Sequence, residues 1–128
     1  MPFVRIFHSD QSKDPSFPAA LSQSVHRALV SAFNIPEADF FQVVTGHKAG
    51  AELLGPEEFL TIPHSDNLVF VQISCAEGRT TEQKTALYGA IADNISNDTS
   101  VSKADVIVNL VETKRENWSF GNGLAPFA

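Results

Sequence analysis

The sequence predicts an α+β fold in which four strands form one mixed sheet and two helices cover one face of that sheet. Three observations predict it: a composition typical of one compact domain, the order of strand-like and helix-like apolar patterns, and the repetition of that order in the second half. The 128 residues are 43% hydrophobic and 19% charged, which suffices for one real core. We therefore expect a single domain over residues 1–128.

The first half contains one strand, one helix and a second strand. Residues 3–8 alternate and are rich in β-branched and aromatic side chains, as in a strand. Asp14 and Pro15 indicate a helix start, with Asp as the cap and Pro at the first helical position. The second strand is expected at residues 40–45, after Pro36 has ended the helix. The helix carries an apolar stripe at spacings of three and four: Phe17, Leu21, Val25, Ala28, Leu29, Ala32 and Phe33.

Residues 46–66 show no consistent period and are interrupted by glycines and prolines. This pattern predicts a long loop that contains at most a short hairpin. Long loops in small domains usually cover or line a functional site. We therefore expect this loop to shape a cleft.

The second half repeats the pattern. Residues 67–75 form a nearly continuous apolar run, which predicts a buried strand, and residues 106–111 predict the fourth strand. Thr80 and Gln83 form a capping box, after which the second helix carries apolar residues at Ala86, Leu87, Ala90, Ile91 and Ile95. Residues 113–128 are expected to be an irregular tail.

An internal match suggests that the two halves are duplicates. Residues 35–40 (Ile-Pro-Glu-Ala-Asp-Phe) match residues 101–106 (Val-Ser-Lys-Ala-Asp-Val) at an offset of 66, from 105 − 39. The halves, roughly 2–47 and 67–112, would each be a β-α-β unit with parallel strands and a right-handed crossover. Helices on one face leave the other face of the sheet uncovered, which predicts oligomerisation.

Charge and cysteine usage exclude several classes of partner. The net charge is −6, the sequence pI is about 5.0, and the nine Lys and Arg residues are scattered. We therefore expect neither nucleic acid nor a membrane surface as a partner. Cys75 has no second cysteine with which to form a disulfide, and the amino terminus has no charged and apolar leader pattern. A cytoplasmic protein is expected.

Pro2 follows the methionine with which the sequence begins. If Met1 is removed, Pro2 becomes a terminal secondary amine, which is basic and nucleophilic, whereas an internal proline nitrogen is an amide. An α-amino group has a reference pKa near ~8, and burial or a neighbouring cation would lower that pKa towards neutrality. Such an amine is a competent general acid or base. The alternative is that Met-Pro is an ordinary start without chemical meaning.

The chain resembles the tautomerase superfamily, whose members use an amino-terminal proline and usually form trimers. The resemblance to its malonate semialdehyde decarboxylase branch is carried by residues 35–42 with Thr45 and His47 beyond them, and by three further segments. Those segments are residues 78–84 (Gly-Arg-Thr-Thr-Glu-Gln-Lys), 105–108 (Asp-Val-Ile-Val) and 118–123 (Trp-Ser-Phe-Gly-Asn-Gly). The matches occur in order over nearly the whole chain.

The resemblance implies an enzyme that acts on a small 2-oxo or 3-oxo acid without a metal or an organic cofactor. It implies that Pro2 is a proton shuttle or cationic general acid, and that Asp39 orients the proline or a water. It also implies that Arg79 binds the substrate carboxylate and that Trp118 and Phe120 wall the active site. The reaction would be tautomerisation, or decarboxylation or hydration of the malonate semialdehyde type, in a homotrimer.

Alternatives stay open at each position. Asp39 could merely cap a turn, Arg79 could be a surface residue, and Trp118 and Phe120 could seal the trimer. Glu77 stands where some relatives have a second arginine, and its charge would repel a carboxylate. A second hypothesis is therefore a non-catalytic trimeric binding or scaffold module that retains Met1. A third is a ferredoxin-like sensor of small molecules.

The histidines and the cysteine are assigned structural roles. The histidines, His8, His26, His47 and His64, show no metal-ligand spacing. We expect His26 to be exposed on the helix and His47 to make a structural hydrogen bond. Cys75 ends an apolar strand and is expected to be a buried, unreactive thiol.

Overall fold

The computed structural model describes residues 1–128 as six strands and two helices with two short 3-10 turns. The turns lie at Lys103–Asp105 and Arg115–Asn117. The strands and helices, in chain order, are β1 (Phe3–Ser9), α1 (Phe17–Phe33), β2 (Gln42–His47), β3 (Glu58–Phe59), β4 (Ile62–Pro63), β5 (Val69–Ala76), α2 (Thr81–Asp98) and β6 (Val106–Thr113).

The main sheet has the strand order β2-β1-β5-β6. β1 pairs in parallel with β2, β5 pairs in parallel with β6, and the two central strands β1 and β5 are antiparallel. Each parallel pair is joined by one helix, as a β-α-β crossover requires. The predicted four-stranded mixed sheet is confirmed.

One face of the sheet forms the core together with both helices. Alternate residues of β1 and β5 point to that face, and the helices contribute the other half of a single buried cluster. Phe3, Arg5 and Phe7 alternate with these residues and are not buried. The prediction that both helices cover one face is therefore confirmed. The cluster includes Val4, Ile6, Leu21, Val25, Leu29, Val69, Val71, Ile73, Leu87, Ile91 and Ile95.

The predicted start of α1 was wrong by two residues. Asp14 does not cap the helix, because its carboxylate accepts hydrogen bonds from the Ser16 backbone N–H at 2.9 Å and the Ser16 hydroxyl at 2.7 Å. These bonds close a turn before the helix, which begins at Phe17 with Pro18 in its first turn. The helix ends as expected before Pro36, with Asn34 in the left-handed region at φ 58°.

The predicted start of the second strand was also two residues early. Residues 36–40 form a turn in which the Asp39 N–H donates to the Pro36 carbonyl at 3.0 Å. Pairing with β1 begins only where the Val4 N–H donates to the Phe41 carbonyl at 3.0 Å. Asp39 therefore lies in the turn that leads into β2, beside the start of β1.

The long loop contains the short hairpin of β3 and β4. Its turn residues Leu60 and Thr61 both have positive φ, at 52° and 66°, which is the geometry of a two-residue type I′ hairpin. The end of the loop is tied to the sheet by Asp105, which is only 4% exposed. The Asp105 carboxylate accepts from the Ser65 N–H at 2.8 Å and the Ser65 hydroxyl at 2.6 Å.

Neither helix combines the length and apolar content that crossing a bilayer requires.

Asp98 connects the two helices and generates a prediction about pH. Hydrogen bonds from Arg27 and Ser24 hold the pKa of Asp98 below its ordinary value. A lowered folded-state pKa adds stability above the ordinary value of 3.8, and this stability is lost as the pH falls through the folded pKa. We expect Asp98→Asn to lower the Tm at neutral pH by a few degrees. The difference from the wild type should shrink at about pH 3.

Circular dichroism melts at the two pH values measure this effect. Asp93→Asn is the matched control, since Asp93 lies on the same helix and pairs with Lys103 while both side chains are mostly exposed, at 56% and 63%. We expect a smaller Tm change for the control, because exposed ion pairs contribute little. A Tm difference for Asp98→Asn that persists in full in acid would contradict this interpretation.

Candidate active site

The amino terminus is held by Asp39. The Met1 amine lies 2.9 Å from the Asp39 carboxylate, and the two side chains are only 19% and 17% exposed. Pro2, the next residue, is buried at the start of β1. The sheet register pairs Phe3 with Ser74, so Pro2 lies beside the last residues of β5, at its carboxyl end. The structure therefore brings two predicted site residues, Pro2 and Asp39, to one end of the sheet.

Arg79 leaves the same end of the sheet between β5 and α2. Gly78 precedes it with φ at +124°, a conformation that side-chain-bearing residues rarely adopt. The Arg79 guanidinium donates to the Ala76 carbonyl at 3.1 Å and lies 4.8 Å from the centre of the Phe33 ring. This bond and the cation–π contact fix the guanidinium and leave other N–H donors for a ligand.

A surface cavity of about 470 Å³ is lined by both Met1 and Arg79. Asp39, which binds the Met1 amine, and Pro2 do not themselves line the cavity. The lining residues are Met1, Ala76, Glu77, Gly78, Arg79, Gln83, Arg115 and Phe127. An amine and a guanidinium in one small cavity are suited to a substrate that carries a carboxylate next to an ionisable C–H or a carbonyl.

Trp118 and Phe120 lie in an adjoining cavity of about 330 Å³, which Phe3 and Phe41 also line. Their rings stack with centroids 5.4 Å apart and planes 10° apart. Phe127 links the two cavities, because it lines the first and contacts Phe120 edge-on with centroids 6.0 Å apart. Trp118 and Phe120 therefore stand next to the amine and Arg79 without sharing their cavity.

Sequence reasoning missed three lining residues of the main cavity: Gln83, Arg115 and Phe127. Gln83 was assigned only to the capping box, which the structure confirms: the Gln83 N–H donates to the Thr80 hydroxyl at 3.1 Å and the Thr80 N–H to the Gln83 side chain at 2.9 Å. Arg115 and Phe127 lie in the tail, where no period places side chains. The only signals in the sequence were the positive charge of Arg115 and the aromatic ring of Phe127, in the same tail as Trp118 and Phe120.

Cys75 lies inside the core directly under this end of the sheet and is 2% exposed. Burial raises the pKa of the Cys75 thiol, although the positive charge of Arg79 acts in the opposite direction. A raised pKa keeps the thiol protonated at neutral pH, and a protonated thiol is a poor nucleophile. The thiol is a core group, as the sequence indicated.

Each histidine bonds to a local partner. The His8, His26 and His64 rings donate to backbone carbonyls of Ser9, Glu37 and Pro56 at 2.8, 2.9 and 2.9 Å, and His47 shares a 2.8 Å hydrogen bond with the Thr45 hydroxyl. The expectation that His26 is exposed was wrong. It is 8% exposed, because its ring packs edge-on against Phe40. The chain contains no cluster of three or more His, Cys, Asp or Glu residues arranged to hold a metal.

The chain is similar to proteins of a known class. A sequence model described as "Tautomerase enzyme" matches residues 39–121. A probable tautomerase of Bacillus subtilis (strain 168), YusQ, is 36% identical over 125 residues, which are 98% of this chain and 97% of YusQ. The chain therefore belongs to the tautomerase family.

Solved structures confirm the branch within the superfamily. FG41 malonate semialdehyde decarboxylase inhibited by 3-bromopropiolate is 28% identical with a TM-score of 0.89, covering 96% of this chain and 92% of that one. A second malonate semialdehyde decarboxylase, described with decarboxylase and hydratase activities, is 30% identical with a TM-score of 0.86, covering 98% and 95%. A fused 4-OT symmetric trimer, 22% identical with a TM-score of 0.78 and covering 95% and 94%, shares the fold.

Thr113 binds the indole of Trp118, and this contact provides a prediction. Its hydroxyl accepts from the Trp118 indole N–H at 2.7 Å and donates to the Cys75 carbonyl at 3.2 Å. Thr113→Val leaves the indole without this partner, at a cost of about 1 kcal/mol. We expect the fluorescence of Trp118, the only tryptophan, to shift to longer wavelength and to become more accessible to a soluble quencher.

Thr113→Ser is the control, because it keeps the hydroxyl and should keep the wild-type emission. Identical emission and quenching in Thr113→Val and the wild type would show that this bond does not position Trp118.

Proposed function

We propose that this chain, once Met1 has been removed, uses the Pro2 amine to transfer a proton on a small 2-oxo or 3-oxo acid. The observation that carries the proposal is the position of the amino terminus. Met1, whose amine is bound by Asp39 at 2.9 Å, lines a cavity with Arg79. A terminal amine bound to a carboxylate, together with a guanidinium that can bind the carboxylate of a substrate, supplies the groups needed for proton transfer on an oxo acid.

Removal of Met1 would create a new terminal amine at Pro2, close to the position of the Met1 amine. Neighbouring Cα atoms are ~3.8 Å apart, so the Pro2 nitrogen stays close enough to Asp39 for a direct or a water-mediated contact. Burial of Pro2 favours the neutral amine, whereas an ionised Asp39 favours the cation. These opposed effects suit a group that must both accept and donate a proton near neutral pH.

Arg79 is proposed to bind the substrate carboxylate. A planar guanidinium can donate two parallel hydrogen bonds to a carboxylate. One donor of Arg79 is already engaged with the Ala76 carbonyl, and the Phe33 ring fixes the guanidinium plane. The preorganised cation would hold the substrate with its reacting carbon towards the Pro2 amine, so that little rotational freedom remains to be lost in the reaction.

Tautomerisation and decarboxylation follow from two protonation states of the same amine. For tautomerisation, neutral Pro2 takes the proton from the enol hydroxyl and returns it to the neighbouring carbon, which leaves a ketone. For decarboxylation of a 3-oxo acid, cationic Pro2 hydrogen-bonds to the carbonyl oxygen while the bond to the carboxylate breaks. Carbon dioxide leaves, its bonding electron pair forms an enolate, and a proton adds to carbon. Hydration would instead use a water positioned by Asp39.

We propose a cytoplasmic homotrimer as the working form. The open face of the sheet leaves Val43 and Val111 exposed at 48% and 40%, and Trp118 and Phe120 border the site where a neighbouring subunit could seal it. The fused 4-OT structure, which shares this fold, is a symmetric trimer.

A non-catalytic trimeric binding module is the second candidate. The observation that favours it is the lining of the cavity, which contains neither Pro2 nor Asp39. In such a protein Met1 would be retained and the cavity would only bind its ligand.

Pro2→Ala tests the proposed chemistry. The change keeps a terminal amine after processing but replaces the fixed secondary amine by a more mobile primary one. We expect kcat on an enolisable 2-oxo acid or on malonate semialdehyde to fall by about 10²-fold or more, with KM changed far less. Enol absorbance and carbon dioxide release measure the two reactions.

Pro18→Ala is the matched control, since Pro18 lies in the first turn of α1, away from the cavity, and its loss should leave kcat unchanged. Equal activity of Pro2→Ala and the wild type would contradict the proposed role of Pro2. Binding of oxo acids without any turnover by the processed wild type would favour the binding module.

A further inference from the structure

We propose that Arg115 is a second anion-binding residue of this cavity, so that the site prefers small oxo acids with two carboxylates over those with one. The proposal rests on the proposed function, in which Arg79 binds the first carboxylate. Arg115 lies in the 3-10 turn Arg115–Asn117 that follows β6 and lines the cavity together with Arg79.

The sheet explains why two distant arginines meet. β5 and β6 are parallel and in register up to the pair Ala76 and Thr113, and the Glu77 N–H extends the pairing by donating to the Thr113 carbonyl at 3.0 Å. Arg79 follows the end of β5 by three residues and Arg115 follows the end of β6 by two. Both side chains therefore leave the sheet at the same end, from two different elements.

The charge of the cavity contrasts with that of the chain. The lining includes two basic residues, Arg79 and Arg115, against one acidic residue, Glu77, whereas the whole chain has a net charge of −6. A positively charged cavity in an acidic protein concentrates anions at that place and not elsewhere on the surface.

Arg115 is free to take a ligand. It belongs to none of the four ion pairs of the chain and its side chain is exposed. Arg79, in contrast, is fixed by Ala76 and Phe33. The difference suggests a division of roles in which Arg79 orients the reacting carboxylate and the exposed Arg115 binds the second one.

Arg115 also offsets the negative charge that Glu77 brings to the lining of the cavity. A carboxylate in the lining repels any anion, so a cavity with Arg79 alone would bind oxo acids weakly. Arg115 supplies a cation that offsets Glu77 and restores a net positive lining. One guanidinium saturates one carboxylate through two parallel hydrogen bonds, which leaves Arg115 for a further anionic group. The volume of about 470 Å³ accommodates a short dicarboxylate.

The test measures binding of unreactive probes to the processed protein by calorimetry. Malonate and succinate carry two carboxylates and propionate carries one. We expect the wild type to bind the dicarboxylates more tightly than propionate. Arg115→Gln should weaken dicarboxylate binding by about tenfold or more and leave propionate binding nearly unchanged.

Lys114→Gln is the matched control, because it removes the same charge from the neighbouring residue, which does not line the cavity. It should change binding of both probe classes little. The proposal is overturned if Arg115→Gln weakens propionate and dicarboxylates by the same factor, if Lys114→Gln reproduces its effect, or if the wild type shows no dicarboxylate preference. Both positions are exposed, and melting curves verify that the variants fold.

The same measurements separate this proposal from the proposed function. Arg79→Gln should weaken binding of propionate and dicarboxylates alike, because both use the first carboxylate site. A dicarboxylate preference that depends on Arg115 in a protein without turnover would contradict the proposed catalysis and support the second anion site. Turnover of oxo acids without any effect of Arg115→Gln would do the reverse.

Discussion

The site depends on the two-sided pairing of β1. Because β1 lies between β2 and β5, its backbone is held along both edges and the position of its first residue is fixed. Buried Pro2 is consequently placed where β5 ends, and the turn before β2 places Asp39 beside it. A terminal strand on the edge of the sheet would fray and could not hold an amine in register with Arg79.

The charge of the cavity is determined by the residues that line it and not by the net charge of the chain. Asp39 is engaged with the amine, Glu112 with Lys84 at 2.8 Å, and Asp105 with Ser65, so that several acidic groups around the sheet ends have partners of their own. The hydrogen bond from Lys84 holds the pKa of Glu112 below its ordinary value. Glu77 is the one acidic residue in the lining of the cavity, which also contains Arg79 and Arg115. An acidic chain can thus present a site for anions.

The architecture could be predicted from sequence because periodic burial determines it. Most of the apolar stripe of each helix and alternate residues of the run 67–75 belong to one core, and such patterns survive small errors in boundaries. Ala86, which was predicted in the stripe of the second helix, is exposed. The starts of α1 and β2 were each misplaced by two residues, because side-chain hydrogen bonds of Asp14 and a backbone turn after Pro36 decided them. The internal duplication remains a prediction.

The site was only partly accessible to sequence reasoning. Pro2, Asp39 and Arg79 belong to motifs, and motifs can be recognised one at a time. Arg115 and Phe127 enter the cavity through an irregular tail, whose path is decided by aromatic packing such as the contact between Phe120 and Phe127. His26 was predicted to be exposed because it lies between the apolar stripe positions of its helix, and packing against Phe40 buries it.

The intact mass of the untagged protein, expressed from its native start codon, shows whether Pro2 is the terminal amine. We predict a mass that lacks one methionine residue, which leaves Pro2 as a free secondary amine; a mass that retains Met1 would rule out the proposed role of Pro2.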